Sequence, residues 1–141
     1  MTEIINLQTE VELDVKSLGD FASTLADQIA ELDHRTFSIA IVPDSRMLEL
    51  NKLFRGKTST TDVLSFPRQP DDFDPDKNNL GDIVISAEQA RRQAAENDLS
   101  IQGEIKQLIL HGVLHLCGHD HETDDGEMNA RELELREVLG I

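Results

Sequence analysis

The segment HGVLHLCGHDH, residues 111–121, constrains this chain more than any other because it places three histidines around the end of a helix. His111 and His115 are four residues apart in an apolar helical pattern, so both imidazoles leave the same face one turn apart. Gly118 follows and can take the left-handed conformation that ends a helix. The chain can then turn back and bring His121 to the same point. The segment therefore predicts a helix, a glycine turn and a three-histidine cluster.

Three imidazoles at this spacing predict a metal site. Imidazole ligands suit zinc best, although nickel, cobalt or copper fit the same donors. Three protein ligands leave a fourth position for water or substrate, which is typical of a catalytic rather than a structural site. We therefore expect one Zn²⁺ per chain, held by His111, His115 and His121, in a hydrolytic enzyme.

The same spacing occurs in the metzincin proteases, where a glutamate follows the first histidine and acts as general base. Gly112 stands at that position here, so the protease base is missing. Asp120 and Glu122 flank the third ligand, and either is a candidate base or a group that orients a ligand. A metal-dependent peptidase or amidohydrolase stays open on the histidine spacing alone.

Alternating strand and helix patterns predict an α/β (α+β) fold in a single domain over residues 1–141. Strands are predicted at 3–7, 36–42, 62–66 and 81–85. Helices are predicted at 15–32, 45–54, 87–97, 100–118 and 127–139. The polar segment 68–79 is predicted to be a surface loop beside a site.

Residues at the helix starts and on the helix faces refine this prediction. Asp44, Ser86 and Ser100 are the predicted N-caps of three helices. The buried stripe of the second helix is predicted to comprise Met47, Leu50, Leu53 and Phe54. Met128 is interpreted as a core residue of the last helix. Three acidic residues of that helix are interpreted as its solvated face: Glu132, Glu134 and Glu137.

The charge of the chain limits what it can bind. With 13 basic and 28 acidic residues its formal net charge is −15, which repels phosphate backbones and anionic membranes on average. Residues 46–68 depart from this, with five basic residues against two acidic ones. Arg55 lies there, where the predicted helix 45–54 gives way to a glycine-containing loop, and a guanidinium at this point can hold a phosphate bidentately. Arg55 is therefore the predicted catalytic, phosphate-binding residue.

Other features bear on location and on unused side chains. The N-terminus has no basic region followed by an apolar core, and no run approaches the roughly 20 apolar residues that cross a bilayer, so we expect a soluble cytoplasmic protein. The single Cys117 excludes an intrachain disulfide and is interpreted as a buried thiol. His119 is interpreted as an exposed loop residue.

Three sequence blocks resemble the YbeY family of bacterial rRNA-maturation endoribonucleases. HGVLHLCGHDH is similar to its signature H-G-x-L-H-L-x-G-x-D-H, and NKLFRGKTSTTDVLSFP (51–67) and LGDIVIS (80–86) match two further blocks. The resemblance implies a small mixed four-stranded sheet, a zinc ion on the three histidines and hydrolysis of single-stranded RNA. It also implies maturation of the 3′ end of small-subunit rRNA, ribosome quality control and a functional role for Arg55.

The implied partners are single-stranded or structured RNA and the small ribosomal subunit, with no membrane and no DNA expected. The residues leave the nucleophile open between water activated by the metal and the 2′-hydroxyl of the substrate. A third class also stays open, a non-enzymatic ribosome-assembly factor in which zinc only supports the fold.

Overall fold

The computed structural model describes residues 2–141, which form one four-stranded sheet and five α-helices. The elements in chain order are β1 Glu3–Asn6, α1 Val15–Gln28, β2 Thr36–Val42, α2 Asp44–Arg55, β3 Val63–Pro67, β4 Asn79–Ser86, α3 Ala87–Glu96, α4 Ile101–Leu116 and α5 Glu127–Leu139. The strand order is β1-β2-β4-β3, with β1, β2 and β4 parallel and β3 antiparallel to β4. The predicted α/β fold with a mixed four-stranded sheet is confirmed.

The sheet separates two apolar layers because successive side chains of a strand point to opposite faces. One face of β2 and β4 packs against α1, α3, α4 and α5 in the main core. The residues that this face contributes are Phe37, Ile39, Ile41, Ile83 and Ile85. The opposite face is covered by α2, whose fully buried Met47 packs with Val84 in a smaller cluster.

Helix α4 carries the first two histidines and lies directly on the sheet. Nine of its sixteen residues are buried, so most of its surface faces protein rather than water. A Cβ built on Gly112 would lie 2.9 Å from Cγ2 of Ile83 in β4, which is closer than real Cβ contacts come. Only glycine therefore allows α4 to approach the sheet this closely.

No helix within residues 2–141 is long and apolar enough to cross a membrane.

Helix α1 is shorter than the predicted 15–32. It ends at Gln28, Ile29 takes an extended conformation, and Ala30–Leu32 form a 3₁₀ turn. Ile29 and Leu32 are nevertheless buried in the main core. The apolar spacing thus continues across a break in the helix, which is why periodicity alone predicted one longer element.

The predicted N-cap role of Asp44 is wrong. Pro43 occupies that position without a side-chain cap, and Asp44 lies in the first turn of α2. Its carboxylate accepts hydrogen bonds from Thr60 Oγ1 at 2.8 Å, Ser86 Oγ at 2.8 Å and Arg92 Nη2 at 2.6 Å. Burial alone would raise the pKa of Asp44, but Arg92 and the two hydroxyls lower it overall. The carboxylate therefore joins α2 to β4 and α3.

The predicted N-caps Ser86 and Ser100 are confirmed.

The predicted buried stripe of α2 is also partly wrong. Leu53 and Phe54 are 75% and 60% exposed. Asn51 lies on the buried face instead, where its Nδ2 donates to the Ser59 carbonyl at 2.7 Å and holds the loop after the helix. Phe54 packs edge-on against Phe66 at a centroid distance of 5.1 Å, at the margin of the sheet.

A paired salt bridge fixes α5 against the turn that follows α1. Arg131 Nε and Nη2 donate to the two carboxylate oxygens of Glu31 at 2.8 and 2.7 Å. The hydrogen bond from Arg131 is the main reason that the pKa of Glu31 is lowered to about 2. Because Glu31 is ionised at neutral pH, this contact locates α5 and with it the neighbouring Glu132.

We expect Glu31→Gln to destabilise the fold at pH 7 by about 1–2 kcal/mol, because Arg131 loses a charged, two-point partner that is partly exposed to solvent. The folded-state pKa lies below its ordinary value of 4.5, so the contribution of Glu31 is complete above pH 4.5 and is lost as the pH falls toward 2. Urea unfolding of both proteins should therefore give a difference that shrinks over that interval.

The matched control is Glu134→Gln, since Glu134 pairs with the same arginine but is 66% exposed. A difference between wild type and Glu31→Gln that is unchanged from pH 7 to pH 3 would contradict the role given to Glu31.

Candidate metal centre

The three predicted histidines converge. His111 and His115 leave the C-terminal part of α4, and His121 comes from the loop that follows. One ligand nitrogen from each lies within 4.8 Å of the other two, and the ring centroids are 4.9 to 5.3 Å apart. Neutral imidazoles at this spacing can hold one divalent metal ion.

The turn that brings His121 back to the end of α4 contains the left-handed glycine that the sequence predicted. Gly118 has φ 101°, and the backbone N–H of His119 donates to the Leu114 carbonyl at 3.0 Å, which closes the end of α4. Asp120 then organises the loop, because its Oδ1 accepts the N–H of Glu122 at 3.0 Å. His121 is thus held in a short hydrogen-bonded turn above the helix end.

A buried carboxylate of α5 orients the first histidine. Glu132 is 6% exposed, and its Oε1 lies 2.7 Å from Nδ1 of His111 while Arg136 Nη2 donates to its Oε2 at 2.6 Å. Burial alone would raise the pKa of Glu132, but His111 and Arg136 lower it overall. The ionised carboxylate therefore accepts a hydrogen bond from Nδ1–H of His111, which leaves Nε2 of the same ring free to bind a metal.

Glu132 was wrongly interpreted from the sequence as part of a solvated face. A signal was present, however, because Glu132 is four residues after buried Met128 and three before buried Leu135. A carboxylate on the apolar stripe of a helix needs a buried partner. The sequence did not indicate which residue that partner is.

The second histidine is already in the form that binds metals. Burial lowers the pKa of His115, and the neighbouring imidazoles of His111 and His121 lower it further. A lowered pKa keeps this ring neutral at physiological pH, as metal ligation requires. The donor set, the fixed tautomer of His111 and the neutral His115 together fit a divalent ion.

The centre opens into a cavity of about 530 Å³ that also contains Arg55. Arg55 is the last residue of α2 and is 45% exposed, with Nη2 3.6 Å from Oε1 of Glu122. The rest of its lining comes from the three histidines, from β3 with the two residues before it, and from the loop after α4, which contributes Asp120 and Glu122. The structure therefore brings the predicted phosphate-binding residue to the predicted metal ligands.

The other basic residues of segment 46–68 lie elsewhere. Arg46 pairs with Glu49 at 2.9 Å on the surface of α2. Arg68 binds Asp74 at 2.6 Å and the Asp76 carbonyl at 2.7 Å, so it holds the acidic loop rather than a ligand. Among the described residues that line the cavity, Arg55 is the only lysine or arginine.

The remaining predicted side chains have other surroundings. Neither Asp120 nor Glu122 is hydrogen-bonded to an imidazole of the cluster within residues 2–141, so their role as base stays a prediction. His119 was expected to be exposed, but it is 25% exposed and lies 3.4 Å from Glu31. Cys117 is partly buried against the core, and burial raises its pKa to about 11, which keeps the thiol protonated.

This fold and this centre define a small α/β protein with an open three-histidine metal site, as found in metal-dependent hydrolases. The family model for endoribonuclease YbeY matches residues 3–140. The chain therefore belongs to the endoribonuclease YbeY family, which confirms the resemblance seen in its sequence blocks.

Individual relatives agree over nearly the whole chain. An endoribonuclease YbeY from Nautilia profundicola is 42% identical over 134 residues, which cover 95% of this chain and 88% of that protein. Another from Helicobacter pylori is 43% identical and covers 100% of this chain and 93% of its own length. The solution structure of a Thermotoga maritima protein matches with a TM-score of 0.67 and 27% identity, over 99% of this chain and 90% of that one.

We expect purified protein to contain about one metal ion per chain, and single substitution of His111, His115 or His121 by alanine to remove most of it. Each substitution deletes one of only three protein ligands. His119→Ala is the matched control and should retain the metal, because its ring lies against Glu31. Elemental analysis of the four variants measures this. Equal loss from His119→Ala would contradict the ligand set.

Glu132→Gln should weaken metal binding by about 10- to 100-fold, because a neutral amide no longer makes His111 a more basic ligand or fixes its tautomer. Glu137→Gln, an exposed position on the same helix, should leave the affinity unchanged. Competition with a chromogenic chelator measures both affinities, and a melting curve confirms that each variant is folded. Wild-type affinity in Glu132→Gln would show that the carboxylate does not act on the metal site.

Proposed function

We propose that this chain is a single-strand-specific, metal-dependent endoribonuclease that acts in late ribosomal RNA processing. The observation that carries the proposal is the meeting of three histidine ligands and Arg55 in one open cavity, in a member of the endoribonuclease YbeY family. Its RNA partners are single-stranded RNA or structured RNA that carries single-stranded ends. Maturation of the 3′ end of small-subunit rRNA, ribosome quality control, contact with the small ribosomal subunit and a cytoplasmic location belong to the same proposal.

His111, His115 and His121 would hold the metal, and zinc is the ion that fits three imidazoles best. When bound, zinc supplies Lewis acidity, which polarises a phosphoryl oxygen and makes water more acidic. Glu132 keeps His111 in the binding tautomer. These residues therefore prepare the cavity for phosphodiester hydrolysis.

Arg55 is proposed to bind the phosphate whose bond breaks. Its nearest partner is an exposed carboxylate, Glu122, at 3.6 Å, and such pairs are worth little in water. A phosphate can therefore displace Glu122 and take a two-point contact with the guanidinium. The displaced Glu122 would then lie free beside the cluster, where it is a candidate to move a proton.

A peptidase is disfavoured by the packing of α4. In metzincins the general base follows the first histidine, but here that position is Gly112, and even a Cβ would meet Ile83 at 2.9 Å. A glutamate side chain has no room at this point. The base of the reaction has to come from another part of the cavity.

We expect Arg55→Ala to slow RNA cleavage by about 30- to 1,000-fold, because a charge-assisted contact in the transition state is worth roughly 2–4 kcal/mol. Arg55→Lys should recover only part of the rate, since a point charge cannot reproduce the planar two-point contact. Arg46→Ala is the matched control on the same helix and should cleave like the wild type. Single-turnover cleavage of an RNA with an unpaired 3′ tail is the measurement.

Metal content and melting temperature are measured on the same samples and should not change, because Arg55 is exposed and contributes little to the core. Wild-type cleavage by Arg55→Ala would overturn the proposed role of the arginine. Cleavage that survives removal of the metal would instead favour an assembly factor contaminated by another nuclease. A 2′,3′-cyclic phosphate on the product would identify the 2′-hydroxyl of the substrate as the nucleophile.

A further inference from the structure

A second cavity of about 530 Å³ lies behind the metal centre, between α3, α4 and α5. It shares Asp62, Val63 and His111 with the cavity that contains Arg55, so the two cavities adjoin at these residues. Its volume falls within the roughly 300–1,000 Å³ typical of small-molecule sites. The cavity is therefore placed to receive a group that is covalently attached to a phosphate at the metal centre.

The polar groups of the second cavity are mainly amides and carboxylates. Gln93, Asn97 and Gln107 line it together with Glu104. Glu104 is only 4% exposed, and its side chain accepts one long hydrogen bond within residues 2–141, from Asn97 Nδ2 to Oε2 at 3.4 Å. Glu104 therefore keeps acceptor capacity that a ligand with N–H donors can use.

The charge of the second cavity excludes a phosphate as its occupant. Asp62, Glu104 and Glu132 line it against one arginine, Arg136, which is bound to Glu132 at 2.6 Å. The cavity is thus acidic and would repel an anion. Val63, Leu99 and Leu108 form the smaller, apolar part of the lining, which a flat, neutral ring can contact. A nucleobase with N–H donors on one edge satisfies both conditions.

We propose that the second cavity binds a guanine base of the RNA substrate, next to the phosphate held at the metal centre. The inference rests on the proposed endoribonuclease function. The Watson–Crick edge of guanine presents two adjacent donors, N1–H and the N2 amino group, followed by the acceptor O6. Glu104 can accept from both donors, and the neighbouring amide of Asn97 can donate to O6.

The other bases do not match this pair of residues. Adenine and cytosine each place a ring nitrogen acceptor beside their amino group, so a carboxylate would meet one donor and one repelling acceptor. Uracil offers a single N–H between two carbonyl acceptors. Guanine alone gives Glu104 two donors, and it therefore completes the buried carboxylate best.

Nucleoside binding tests the cavity without any cleavage. The probe is guanosine, titrated into the metal-loaded full chain while the side-chain amide signals of Gln93, Asn97 and Gln107 are followed by NMR. Guanosine should shift these signals saturably. Inosine, which lacks the N2 amino group, should bind at least about fivefold more weakly, and adenosine, cytidine and uridine more weakly still.

Glu104→Gln should weaken guanosine binding by about tenfold or more, because an amide replaces one acceptor with a donor. Glu96→Gln is the matched control, since Glu96 is an exposed carboxylate of α3 outside the cavity, and it should bind like the wild type. Asn97→Ala gives a second test at an exposed residue, so it does not depend on the folding of the Glu104 variant. It should weaken guanosine about fivefold.

Cleavage of RNAs that differ at one unpaired position completes the test. A guanine there should be preferred over adenine in the wild type, and the preference should vanish in Glu104→Gln. Equal binding of all nucleosides, or none, overturns the guanine site even if every RNA is cleaved. Guanosine binding without any cleavage upholds the guanine site and overturns the proposed endoribonuclease instead.

Discussion

The metal centre depends on the burial of helix α4. Ile105, Ile109 and Leu114 are fully buried, and each contributes roughly 1.5–3 kcal/mol of hydrophobic stabilisation relative to exposure. The same helix is in contact with β3, β4, α1, α3 and α5, so its position is set by the whole main core. The two histidines on its exposed turn therefore keep their orientation without help from a ligand. The core thus provides the preorganisation on which metal binding relies.

The electrostatics of the site follow from one basic side chain in an acidic protein. A net charge of −15 disfavours general attraction of RNA, and other basic residues of the 46–68 segment, Arg46 and Arg68, are paired with carboxylates outside the cavity. Among the described residues that line the cavity, Arg55 is then the one basic side chain that a phosphate meets. Such an arrangement favours recognition of one reacting phosphate over binding along a length of backbone, which needs many basic contacts.

Much of the centre could be predicted because its determinants are local. The spacing of His111 and His115, and the left-handed turn at Gly118, depend only on neighbouring residues. Glu132 could not be assigned because its partner His111 lies 21 residues earlier, and only tertiary packing brings them together. The N-cap prediction for Asp44 was wrong for the same reason, since a local capping preference competed with three distant hydrogen-bond donors. Leu53 and Phe54 were wrongly predicted to be buried, because a helix that covers only part of a sheet leaves apolar residues exposed.

The glycine between helix and sheet has a consequence for how this architecture can diversify. Three histidines at this spacing can serve peptide hydrolysis, with a glutamate base after the first histidine, or phosphodiester hydrolysis without that base. A single codon change from Gly112 to glutamate would supply the missing carboxylate. Here that change is sterically forbidden unless Ile83 in the adjoining strand shrinks at the same time. Glutamate at position 112 alone would overpack the core, and a smaller residue at position 83 alone would leave a void. The close approach of α4 to β4 therefore disfavours a glutamate base at position 112, and with it the peptidase chemistry that such a base supports.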